Sequence, residues 1–123
     1  MTPREIEKKV LWAGIEDWYG LWEPIWQLRT LDPTLSRPDA EELVKTAIRS
    51  LLAKGWIELW DRYTTGGDER LIPSGEIESV LSDPGSWADP PEGSFDPGEG
   101  PRMVLFAATD SGEVAYRRGE YEA

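Results

Sequence analysis

Apolar positions in the first half of the chain recur with a helical period. Ile6, Val10, Ala13 or Gly14, and Ile15 with Trp18 stand three and four apart, which predicts a helix over about 2–18. Thr2 or Pro3 opens it, because first-turn N–H groups have no intrahelical acceptor to lose. Gly20 suits the position just past the helix end, where a left-handed backbone costs glycine nothing. A second, short helix is expected over about 21–29. Pro24 sets that boundary: inside one continuous helix it would cost about 3 kcal/mol, whereas a break near Gly20 leaves it in a first turn. Asp32-Pro33 then turns the chain. Ser36-Arg37-Pro38-Asp39 starts a third helix, with the serine hydroxyl as cap and Asp39, Glu41 and Glu42 opposing the positive end of the helix dipole. Ala40, Leu43, Val44, Ala47, Ile48, Leu51 and Leu52 form a continuous apolar stripe, closed by Lys54-Gly55.

The pattern then changes to a period of two. Residues 56–60 predict a strand with Ile57 and Leu59 on one face and Trp56, Glu58 and Trp60 on the other. A turn follows at 64–68, and Ser74 caps a short helix to about Ser82 through Ile77, Val80 and Leu81. Residues 83–101 hold five prolines, four glycines, five acids and no base. Met103–Ala108 reads as a second, largely buried strand. Thr109 or Asp110 opens a last helix to Arg118; Gly112 weakens it, and a hairpin return through Val114 and Tyr116 is the alternative. The fold class is α+β, mainly helical, with 1–123 as one domain and 61–102 as an acidic insertion between two strands.

Charge and composition narrow the chemistry. The 123 residues carry 13 bases and 24 acids, a net charge of −11, and contain no cysteine and no histidine. Disulfides, thiolate or imidazole metal sites and Ser-His or Cys-His catalysis are thereby excluded, and paired carboxylates are too common here to inform. No Walker-type phosphate loop is present, and the carboxylates of 83–101 lack calcium-loop spacing, so neither enzyme activity nor cofactor is expected. The longest apolar run is far short of the ~20 residues that span a bilayer. The N-terminus lacks a signal-peptide core, so a cytoplasmic location without a membrane partner is expected.

Helix, short helix, turn, amphipathic helix, then Leu51-Leu52-Ala53-Lys54-Gly55-Trp56-Ile57-Glu58-Leu59 and a distant returning strand ending in Thr109-Asp110-Ser111-Gly112 resemble a winged-helix domain. In that superfamily the third helix runs into a glycine and a strand, and a second strand returns antiparallel to form the wing. Asp17-Trp18-Tyr19-Gly20-Leu21-Trp22-Glu23 is similar to a stretch in uncharacterised small bacterial winged-helix-like proteins. The resemblance covers about 4–60 and 102–118 and implies a three-helix core with a two-stranded antiparallel wing. It departs from the pattern between the strands, where some forty residues replace a short wing.

Winged helices serve DNA and protein partners alike, so the fold leaves function open. For DNA, the third helix would present Lys45, Thr46, Arg49 and Ser50, with Arg62 or Arg70 near the wing. Acids offset the bases on that helix, Glu41, Lys45 and Arg49 read as an intrahelical ion-pair ladder, and the net charge opposes approach to a duplex. The seven tryptophans are the more unusual feature. Trp22 and Ile25 read as core. Trp12, Trp26 and Trp60 fall off the best apolar face of their elements. Trp87 and Phe95 share a Gly-Ser-aromatic echo in the insertion. These five are the expected apolar anchors of a protein-interaction or regulatory module, with a protein partner or a second copy as a homodimer. DNA binding is the alternative, and an acidic imitation of nucleic acid a third reading.

Overall fold

The computed structural model describes residues 2–62, 69–88 and 103–121. Helix α1, Pro3–Glu16, opens on a capping box: the Glu5 N–H donates to the Thr2 hydroxyl and the Thr2 N–H to the Glu5 carboxylate. It ends two residues earlier than the periodicity implied, on an extended Asp17. Gly20 is therefore no helix cap. It belongs to a two-residue strand, β1 (Tyr19–Gly20), whose backbone pairs with a later strand. A Cβ on Gly20 would come within 2.1 Å of the Trp22 ring, so close approach explains this glycine. Helix α2, Glu23–Leu31, has Pro24 in its first turn, as the proline demanded. Helix α3, Arg37–Lys54, is capped by the Ser36 hydroxyl and ends on Gly55 at φ 74°, matching the expected start and stop.

Strands β2 (Ile57–Arg62), β3 (Glu69–Leu71) and β4 (Met103–Ala108) complete an antiparallel sheet in the order β1-β4-β2-β3. The expected pair β2 and β4 lies at its centre, with Leu59 opposite Phe106 and Trp60 opposite Leu105. Four strands, not two, form because β1 and β3 take up the backbone groups on the outer sides of that pair. Strands of two and three residues are too short to show a period. β2 also extends into the expected insertion, and β3, helix α4 (Ile77–Ser82) and two 3₁₀ turns, Ser74–Glu76 and Pro84–Ser86, lie within it. The turn expected at 64–68 and the echo residue Phe95 lie outside the described residues.

One sheet face packs on the helices. Ile6, Val10 and Leu11 of α1, Ile25 of α2 and Val44, Ile48 and Leu51 of α3 meet Ile57, Leu59, Val104 and Phe106. The inserted segment joins this core through Ile72, Val80, Leu81 and Trp87. Trp22, Met103 and Leu105, with Trp60 against them, cover the opposite face. The chain closes with helix α5, Asp110–Arg117, and the hairpin alternative does not form. Thr109 caps it, and Gly112 sits where a Cβ would meet the Trp56 carbonyl oxygen at 2.1 Å. The residue that weakens this helix locally is what lets it approach the Trp56 backbone, just before β2.

Candidate functional site

Two of the expected aromatic anchors converge. α1 contributes Lys9, Trp12, Ala13 and Glu16, spaced i, i+3, i+4, i+7, and α2 contributes Glu23, Trp26, Gln27, Thr30 and Leu31, spaced i, i+3, i+4, i+7, i+8. These stripes wall an open groove of 540 Å³, with Tyr19 of β1 also lining it. That volume falls within the ~300–1,000 Å³ usual for ligand clefts. Trp12 is 40% exposed, Trp26 49% and Leu31 58%, so three large apolar side chains are exposed around one recess. The walls are nonetheless held in place. Trp12 stacks on Tyr116 of α5 at 5.1 Å, and Tyr19 on Phe106 at 6.3 Å.

The groove is electrostatically uneven. The residues joining α1 to α2 bring Asp17 close to Glu23, and Glu16 and Glu23 both line the groove near that linker. The Gly20 N–H donates to Glu23 Oε2 at 2.6 Å. Partial burial nevertheless pushes the Glu23 carboxyl above its ordinary value; the Gly20 bond opposes this and the Asp17 charge adds to it. Among the described residues, Lys9 is the one cation lining the groove. Aromatic faces with carboxylates at one end suit an apolar group that carries positive charge.

The other anchors go elsewhere. Trp60 is half-buried on the outer sheet face, with its ring 5.1 Å from that of Trp18, which is itself 40% exposed. Trp18 was expected on the α1 face and missed as a surface residue, because the helix stops before reaching it. Trp87 is a correction: it is 1% exposed and is core. Burying the indole removes a large apolar area from water, and its N–H is satisfied by the Leu81 carbonyl at 2.9 Å.

Trp87 also changes the reading of α3. Lys45 Nζ lies 5.4 Å from the centre of its ring, and Arg37 Nη2 donates to its carbonyl at 3.1 Å. Arg49 does not extend a Glu41–Lys45 ladder; its guanidinium reaches Glu78 of α4 at 3.2 Å. An acidic segment packed beside the helix supplies these partners across space, so the local ladder loses to tertiary contacts. Thr46 donates to the Glu42 carbonyl of its own helix, and Ser50 is half-buried. Arg70 bridges the buried Asp61 and the exposed Glu76 at 3.1 and 3.2 Å, and hydrogen bonds to these two carboxylates raise its pKa above the ordinary value. Arg62 ends β2, its backbone opposite Met103 and Glu69.

A further ionic cluster was not foreseen. Glu7, buried on α1, accepts two hydrogen bonds from Lys54 Nζ at 3.1 and 3.2 Å. Lys54 also lies 4.9 Å from the Trp56 ring and 5.9 Å from that of Tyr121, while the Arg4 guanidinium donates to the Glu120 carbonyl. Burial, reinforced by the Glu7 charge, pushes the Tyr121 phenol well above its usual pKa. The cluster ties residues 120–121 to α1 and α3. Its sequence signal was faint: Glu7 stands next to Ile6 and three before Val10, the edge of the apolar stripe.

Among the described residues, no group of three or more acidic side chains is placed to hold a metal ion, and no helix is long and apolar enough to cross a membrane. No family model, curated protein or solved structure matches this chain.

Proposed function

We propose that this chain is a non-catalytic protein-interaction or regulatory module on a winged-helix-like frame, docking through the groove walled by Trp12 and Trp26. The observation that carries this reading is the groove itself: facing stripes of two helices leave two large, partly exposed indoles around one apolar recess. Interface centres are enriched in tryptophan, and recesses that desolvate such side chains carry most binding energy. The frame is supported by the run of α3 through Lys54-Gly55 into β2, with β4 antiparallel beside it. A non-catalytic role is supported by the absence of histidine and cysteine and by the commitment of the buried carboxylates Glu7 and Asp61 to Lys54 and Arg70.

The competing reading is a DNA-binding regulator that uses α3. Against it stands the engagement of Arg37, Lys45 and Arg49 by the chain's own inserted segment. Nonspecific duplex affinity comes from cations on phosphates, and these cations already have partners. The test is fluorescence anisotropy of a labelled random duplex, titrated from low to physiological salt. No binding is expected at any salt. Binding that strengthens steeply as salt falls and disappears in a Lys45→Ala/Arg49→Ala variant would reverse the order of the two readings.

A further inference from the structure

We infer that the groove between α1 and α2 takes a basic, apolar-anchored helical segment of a different protein. The inference rests on the docking reading above and specifies its occupant. Two features of the groove select that occupant. The first is shape. Each wall is a helical stripe two turns long, about 10 Å at 1.5 Å per residue. A third helix laid along those stripes presents anchors at i, i+3 or i+4 and i+7 to both walls, the usual arrangement of helix-in-groove recognition.

The second is charge. Glu16 and Glu23 line the linker end of the groove with Asp17 beside them, and among the described residues Lys9 is the sole cation in the lining. The molecule as a whole carries a net charge of −11. An acidic segment is repelled at long range and again at the groove. A second copy brings the same charge and the same acidic rim, so it complements the site poorly. A segment with Lys or Arg beside its apolar anchors is attracted at both distances, and its cations meet aromatic faces as well as carboxylates. The expected orientation places a cationic side chain near Glu16 and Glu23 and apolar anchors along Trp26 and Leu31.

The probes are three synthetic peptides of about three helical turns with identical leucine anchors, whose flanking positions are all Lys, all Gln or all Glu. Affinity is measured by calorimetry on the whole chain, with the fold of each variant checked by its thermal melt. The Lys peptide is expected to bind, the Gln peptide more weakly and the Glu peptide not at all. Trp26→Ala should weaken the Lys peptide about tenfold, and Glu16→Gln with Glu23→Gln should weaken it several-fold while flattening its salt dependence. Because Trp26→Ala leaves every charge in place, Lys-peptide binding unaffected by it would reflect the overall charge alone and would overturn both this inference and the docking reading. Equal binding of all three peptides, each weakened by Trp26→Ala, would uphold the docking reading and overturn the basic occupant. A stable dimer in sedimentation that Trp26→Ala dissociates would also overturn it, giving the groove to a second copy.

Discussion

At Trp87 one side chain serves two elements. Its indole fills the core beneath the insertion, its N–H is satisfied by Leu81, and its ring and carbonyl receive Lys45 and Arg37. Trp87→Ala should therefore destabilise the protein by about 3–5 kcal/mol, measured by urea unfolding, the range for large aromatic deletions from a core. Trp26→Ala, at a position 49% exposed, should change stability by less than about 1 kcal/mol. The local pattern does not separate these two tryptophans. Trp26 reads as exposed because it leaves the apolar stripe of α2. Trp87 stands in a Pro- and Gly-rich stretch with no period, and its burial depends on contacts with Arg37 and Lys45 of α3, 50 and 42 residues earlier in the chain. Glu23 yields a pH prediction. Its raised pKa favours the folded state below the ordinary glutamate value and withdraws that contribution as pH rises through the raised value. Glu23→Gln keeps an oxygen to accept the Gly20 N–H but cannot ionise. Its stability relative to wild type should increase from pH 4 to pH 7 in paired urea titrations; a constant difference would contradict the assignment.

Among the elements, those with a long period were legible and those held by neighbours were not. Helix α3 has an apolar stripe, a serine cap and a terminal glycine that agree with one another, and β4 is a continuous apolar run from Met103 to Ala108. Strands β1 and β3 exist because β4 and β2 offer unpaired backbone at the sheet's two edges, a condition that no short window contains. Helix α5 lies between these cases: its cap was readable, and the glycine that argued against it is required by its approach to Trp56. Gly112→Ala accordingly improves local helix propensity yet should lower the melting temperature by several degrees, because the added methyl collides with backbone, not with a movable side chain. A stabilised variant would show that α5 packs less closely on the Trp56 backbone.

Across the whole molecule, the net charge of −11 and the inserted segment act in the same direction. The charge opposes a duplex at long range, and the insertion engages basic side chains of α3 at short range. Among the described residues, the groove between α1 and α2 is where exposed apolar area and carboxylates coincide. The sequence marked Trp12 and Trp26 as candidates separately; that they share one recess depends on α1 and α2 both packing on α3. The location of docking is best examined by amide NMR of the ¹⁵N-labelled chain titrated with the Lys-flanked peptide. Shifts should concentrate on Lys9, Trp12, Glu16, Glu23, Trp26 and Leu31, with the signals of Lys45, Arg49 and Glu78 unmoved. Shifts centred on α3 and α4, or spread evenly over the acidic surface, would contradict a docking groove between α1 and α2.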